Sequence, residues 1–137
     1  MSTLLEATLA DLPTCVTRAL QEDIGSGDIT VMLIPEKQHA KGEVISREHA
    51  VICGCAWVEE VFRQLDPNTT INWLVQDGDP VVPDQVLFTL SGNARVLLTG
   101  ERTALNFLQM LSGTATLARQ YAELTTGSDV RILDTRK

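Results

Sequence analysis

The chain of 137 residues contains no run of eighteen apolar residues free of charges and turns, so no segment reads as a transmembrane helix. Its first twenty residues lack the basic start and apolar stretch of a secretory signal and carry Glu6, Asp11 and Arg18 instead. A cytoplasmic protein is expected. Cysteine is sparse: Cys15, Cys53 and Cys55 form an odd set, with no Cys-x-x-Cys or His-x-x-x-His pair to complete a zinc site. That excludes a disulfide scaffold and reads as reduced, buried thiols. Bases are scarce in the first two-thirds, where residues 1–93 hold 14 acids and 5 bases, and the formal net charge of the whole chain is -7. A nucleic-acid surface and an anionic membrane are poor partners for such a balance. The remaining residues, 94–137, hold 4 acids and 6 bases, so an anion site belongs in the last third.

What is present is globular: 44% apolar and 21% charged residues. The length suits one domain, or one domain and the start of another, and is too short for a complete α/β barrel. Leu5, Leu9, Leu12, Val16 and Leu20 fall at helical spacing, but Pro13 interrupts them. Two short helices are expected there, with Asp11 near the second N-cap. The stretch Glu22-Asp23-Ile24-Gly25-Ser26-Gly27-Asp28-Ile29-Thr30 then turns the chain, and Asp28 or Thr30 could cap the next element. A phosphate-cradling loop would need a preceding strand and a following Lys-Ser or Lys-Thr, and both are missing.

Glu43 to Cys53 reads as one bent strand or two short ones, rich in Val and Ile. His39 and His49 have no ligand-spaced partner and read as surface or packing residues. Trp57, Val58, Val61, Phe62 and Leu65 make one apolar stripe opposite Glu59, Glu60 and Arg63, an amphipathic helix on a sheet. Ile71, Trp73 and Val75, then Val86, Phe88 and Leu90, alternate as two antiparallel strands around the turn-rich Asp77–Asp84. The acids of that loop lack the register of a calcium loop and read as solvated turn residues.

From Asn93, a suitable N-cap, good helix formers dominate, with Gly100 inside the run marking a close packing contact. Ser112-Gly113-Thr114 is expected to interrupt this helix, and a second helix to run to about Thr125. Val130 to Leu133 then reads as a short strand, with Asp134-Thr135-Arg136-Lys137 beyond it. A helix feeding such a strand opens a parallel α/β unit, whose active groups lie past the carboxyl ends of the strands. The chain is therefore expected to be the N-terminal part of a longer protein. Arg-Lys at a strand end suits a substrate with several negative groups, because guanidinium and ammonium offset charge in different geometries. Ser112 and Cys15 have no base placed to activate them and are not candidate nucleophiles.

Four segments carry a more specific signal: Glu22–Thr30; Glu101-Arg102-Thr103-Ala104-Leu105-Asn106-Phe107-Leu108-Gln109; Leu111–Thr116; and Ile132-Leu133-Asp134-Thr135-Arg136-Lys137. In this order they closely resemble the quinolinate phosphoribosyltransferase family, the decarboxylating enzymes that make nicotinate mononucleotide, over about residues 19–137. The resemblance implies an α/β (α+β) fold: an N-terminal α/β sandwich domain over 1–112, then the start of an open α/β barrel over 113–137, with its first strand at Val130 to Leu133. It implies a homodimer or an assembly of dimers, in which Arg102 reaches into the partner subunit's site to bind quinolinate. Thr135, Arg136 and Lys137 would line the site of their own barrel, Arg136 on a quinolinate carboxylate and Lys137 near the reacting groups as the catalytic residue. Phosphoribosyl pyrophosphate would arrive with Mg2+, whose ligands would lie outside this segment; no metal ligand is assigned within it.

Three other readings fit the same residues less well. A paralogue of the same fold, such as the relatives associated with molybdate transport, would act on another anionic acceptor. Gly78-Asp79-Pro80-Val81 suits a lipoyl or biotinyl carrier hairpin, but those need a lysine at the hairpin tip and none occurs between Lys41 and Lys137. A non-catalytic dimerisation fragment is a third reading.

Overall fold

A computed structural model describes residues 3–25, 27 and 29–133. Among the described residues three α-helices, α1 (Thr3–Ile24), α2 (Cys55–Leu65) and α3 (Ala94–Leu124), and a short 3-10 helix (Val31–Leu33) accompany five strands: β1 (His39–Ile45), β2 (Ala50–Val51), β3 (Thr70–Trp73), β4 (Pro80–Val81) and β5 (Val86–Asn93). β5 is the centre of an antiparallel sheet of order β1-β5-β3, and β2 pairs with β4 in a separate two-stranded ladder. Trp73 faces Phe88 in the β3–β5 register, and their rings lie 4.4 Å apart at 46°, a tilted aromatic pair across adjacent strands. The core gathers Leu12, Val16 and Leu20 of α1, Val58, Val61 and Phe62 of α2, Leu87 and Phe88 of β5, and Leu97, Ala104 and Leu108 of α3. Each helix contributes side chains three, four or seven residues apart, the spacing that keeps one face inward.

The expected division of the first segment into two helices is overturned. α1 passes through Pro13 unbroken, although an interior proline removes one backbone hydrogen bond and costs about 3 kcal/mol. Burial of Leu12, Val16 and Leu20 on both sides of it offsets that cost, at about 1.5–3 kcal/mol for each side chain of this size. The Pro13 carbonyl also takes a hydrogen bond from Gln64 Nε2 of α2 at 2.9 Å, and Thr17 Oγ1 lies 2.9 Å from both this carbonyl and Gln64 Oε1.

The expected break at Ser112-Gly113-Thr114 is also absent, and α3 runs for 31 residues. Its hydroxyls bond back along the helix, Thr114 Oγ1 to Met110 O at 3.0 Å and Thr116 Oγ1 to Ser112 O at 2.7 Å, so they are satisfied within the helix, at a small cost to it and without breaking it. Ser112 is buried and joins both backbone groups of Cys53, accepting from its N–H at 3.0 Å and donating to its carbonyl at 3.2 Å. Asn93 caps α3 as its type and position suggest: its Oδ1 accepts from the N–H of Arg95 and Val96.

Residues 130–133 carry no strand pairing, since a strand needs a neighbour to complete its ladder; Val130, Ile132 and Leu133 are exposed. Gly54, at φ +115, starts α2 in a conformation glycine tolerates and has no side chain with which to cap it. The cap comes from another loop: Asp77 Oδ1 accepts from the N–H of Gly54 at 2.9 Å and of Cys55 at 3.0 Å. The reading of Asp77 as a merely solvated turn residue is therefore corrected, although the residue is exposed.

Candidate functional site

The basic last third of the chain places its arginines differently. Arg95 Nε donates to Ile34 O at 2.8 Å, and Arg119 donates to Gly78 O at 3.3 Å; both guanidinium groups serve neighbouring loops. Arg102, on the outward face of α3, is 78% exposed and meets one acid among the described residues, with its Nη1 3.6 Å from Asp23 Oδ1. The other carboxylate oxygen, Asp23 Oδ2, accepts the hydroxyl proton of buried Thr103 at 2.8 Å. The last turn of α1 thus meets two consecutive residues of α3, one charged and one neutral.

Helix geometry explains the direction of these side chains. Glu101 and Arg102 face outward while Thr103 and Ala104 are buried, the alternation expected where a helix lies half in a core. Asp23 sits in the C-terminal turn of α1, which contains no base. A carboxylate there opposes the partial negative charge of the helix end, and Arg102 supplies the counter-charge from α3. Most of the guanidinium remains in solvent, leaving donors for a carboxylate or phosphate.

A cleft of about 1240 Å³ lies elsewhere, between β1 and α3. Val44, Ser46, Leu97, Leu105 and Leu108 are among its walls, and neither Arg102 nor Asp23 borders it. Its walls mix apolar side chains with the bases Lys41, Arg47 and His49 and the acids Glu43, Glu48 and Glu101, so positive and negative groups offset one another there, and the exposed Arg102 marks the candidate site instead.

Of the residues expected to carry the chemistry, Arg102 is placed as described, while Thr135, Arg136 and Lys137 lie outside the described residues. Sequence reasoning misses Asp23 and Thr103 as partners of Arg102; the signal is an acid at a helix end without a base nearby. Among the described residues no group of three or more His, Cys, Asp or Glu could hold a metal.

The cysteines are free. Burial, with Asp77 beside it, pushes the Cys53 thiol up, and burial followed by the hydrogen bond and charge of Asp77 pushes Cys55 far above the ordinary range. Both therefore stay protonated near neutrality and are poor nucleophiles. Among the described residues no helix is long and apolar enough to cross a membrane.

Comparison with known proteins adds a further finding. The family model "Quinolinate phosphoribosyl transferase, N-terminal domain" matches residues 28–112. A probable nicotinate-nucleotide pyrophosphorylase [carboxylating] of Synechocystis is 37% identical over 118 residues, covering 86% of this chain and 40% of the relative. The corresponding Bacillus subtilis protein is 37% identical over 116 residues, covering 85% and 40%. The solved nicotinate-nucleotide pyrophosphorylase of Francisella tularensis superposes with a TM-score of 0.89 at 41% identity, over 93% of this chain and 46% of that one. The chain thus spans about two-fifths of the length of these curated relatives.

Proposed function

The chain belongs to the quinolinate phosphoribosyltransferase family, matching its N-terminal domain, and from that premise we propose that it is the N-terminal part of an enzyme joining quinolinate to phosphoribosyl pyrophosphate. The products are nicotinate mononucleotide, carbon dioxide and pyrophosphate. In this reading residues 1–112 form the sandwich domain, 113–137 open the barrel, and the enzyme is a cytoplasmic homodimer or an assembly of dimers. The observation that carries the proposal is Arg102, exposed on α3 with most of its guanidinium free of partners among the described residues, in a chain of this family.

In the reaction the pyridine nitrogen lone pair forms a bond to the ribose carbon as the bond to pyrophosphate breaks. The ring nitrogen becomes cationic, which favours loss of the adjacent carboxyl group as carbon dioxide; its bonding electrons pass to the ring carbon, which then takes a proton from solvent. Two anions must be brought together, so the enzyme's task is to position them and offset their charge. Arg102 does this for a quinolinate carboxylate, reaching into the site of the partner subunit, while Thr135, Arg136 and Lys137 serve the site of their own barrel. The described residues offer no ligand set for the Mg2+ expected with phosphoribosyl pyrophosphate.

Exposed apolar side chains support a larger assembly. Met110, Leu117, Tyr121 and Leu124 make an uncovered stripe along α3, the kind of surface that marks contact with further protein. The test is phosphoribosyl pyrophosphate-dependent release of carbon dioxide from carboxyl-labelled quinolinate by the full-length protein with magnesium. Release matched by nicotinate mononucleotide is expected; none from a folded protein overturns the proposal.

A further inference from the structure

We propose that Asp23 is a positioning residue for Arg102, holding its guanidinium ready for the substrate carboxylate; this rests on the reading of Arg102 as a quinolinate-binding group. Three observations lead to it. Asp23 divides its oxygens between neighbouring residues of α3, with Oδ2 taking the Thr103 hydroxyl at 2.8 Å and Oδ1 lying 3.6 Å from Arg102 Nη1. Thr103 is buried, so the carboxylate is fixed from the core side before it meets the cation. The Asp23 side chain is 22% exposed, against 78% for Arg102; the anchored partner is the acid and the reaching partner is the arginine.

An arginine side chain loses substantial rotamer freedom when it is fixed. Unsupported on an exposed helix face, Arg102 would meet that loss when substrate binds. Asp23 imposes part of it beforehand, which is the usual origin of improved affinity from preorganisation. The contact reaches Nη1 alone and is longer than a hydrogen bond, so Nε and the second terminal nitrogen stay available for a carboxylate. Asp23 orients the fork without filling it.

The experiment uses the full-length enzyme, the three single variants Asp23→Asn, Thr103→Val and Arg102→Ala, and the double variant combining Asp23→Asn with Arg102→Ala, with thermal unfolding to verify that each is folded. Asp23→Asn keeps shape and a hydrogen-bond acceptor for Thr103 but removes the charge. It is expected to raise KM for quinolinate about two- to fivefold, the range an exposed ion pair supports, and to leave kcat and KM for phosphoribosyl pyrophosphate unchanged. Thr103→Val, which frees the carboxylate from its anchor, should move the same parameter in the same direction. In an Arg102→Ala background Asp23→Asn should have no further effect on quinolinate KM, because the group it positions is gone. A merely structural Asp23 would instead act equally in both backgrounds. Equal effects, or no effect of Asp23→Asn while Arg102→Ala impairs quinolinate use, overturn the proposal for Asp23 alone. Unchanged quinolinate kinetics in Arg102→Ala remove the functional reading of Arg102 and the proposal with it.

Discussion

Gly100 of α3 lies against the ring of Phe62 of α2: a Cβ at Gly100 would come within 2.7 Å of Phe62 Cε1 and 2.8 Å of Leu65 Cδ1. The two helices approach at a point where one of them has no side chain, and Phe62 is itself buried. Two opposing effects meet at this position. Alanine would gain about 1 kcal/mol of helix propensity, while overpacking a tight contact costs about 1–3 kcal/mol. Gly100→Ala is accordingly expected to lower the unfolding free energy by about 1 kcal/mol, and Gly100→Val by more, as read from urea denaturation. A stabilised Gly100→Ala variant would show that the helices can separate freely.

Asp77 should behave as a helix cap although it lies 22 residues from Cys55, where the helix begins. Asp77→Ala removes the acceptor shared by the Gly54 and Cys55 N–H groups, and a loss of about 0.5–2 kcal/mol is expected. Substitution at Glu59, an exposed acid within α2, is the comparison. An Asp77 variant as stable as the parent protein would remove the capping role.

The same carboxylate bears on thiol reactivity. Burial raises both thiols first and Asp77 adds to it, so alkylation of Cys53 and Cys55 near pH 8 should be slow compared with an ordinary cysteine. Asp77→Asn removes the charge and should speed alkylation of Cys55 without bringing it to the rate of an exposed thiol. Mass-spectrometric labelling rates resolve the two sites; no acceleration would mean that burial acts alone.

Glu60 links stability to acid pH. Arg63 donates to both of its oxygens at 2.6 Å and Gln64 to one at 2.7 Å, and these bonds, Arg63 first, hold its carboxyl below the ordinary carboxylate range against the opposing effect of burial. A group whose folded-state pKa is depressed contributes stability fully above its unfolded value, about 4.3, and loses it as pH falls through the folded value. Glu60→Gln should therefore cost about 0.5–1 kcal/mol at pH 7, Arg63 being largely exposed, and should cost less as the pH falls below about 4. A difference between the two proteins that is constant with pH would contradict this.

Arg102→Ala in the full-length enzyme should lose about 1.5–3 kcal/mol of substrate stabilisation, the worth of a charged hydrogen bond. That is roughly a tenfold to hundredfold fall in kcat/KM for quinolinate. Mixing Arg102→Ala subunits with subunits altered at Arg136 should partly restore activity if Arg102 crosses between subunits. Mixtures no more active than their components would place both residues in one subunit's site.

Much of the fold can be read in the sequence wherever a residue acts on its own helix or strand. Asn93 caps the helix that it precedes, the stripe of Trp57 to Leu65 makes α2, and Gly100 marks a close contact before any partner is known. Reading fails where a distant residue overrides the local rule. Pro13 stays helical because Leu12 and Val16 are buried beside it, and Ser112 because Cys53 takes its hydroxyl. β4 pairs with the distant β2, and Asp77 caps a helix that precedes it in the chain. At the candidate site the motif around Arg102 stands out in one dimension, whereas its pairing with Asp23, far earlier in the chain, is set by the packing of α1 on α3.

Mechanically, α3 is a beam. At 1.5 Å per residue its 31 residues reach about 46 Å, and it is clamped at several points: Gly100 lies against Phe62, Ser112 bonds both backbone groups of Cys53, Thr116 Oγ1 accepts from the Val51 N–H and Arg119 donates to Gly78 O. From Arg119 to the end of the helix at Leu124 the free length is about 8 Å. A tilt of about 5° over so short an arm would move the tip by less than about 1 Å. A helix clamped along most of its length therefore keeps a fixed aim for what is attached to its tip.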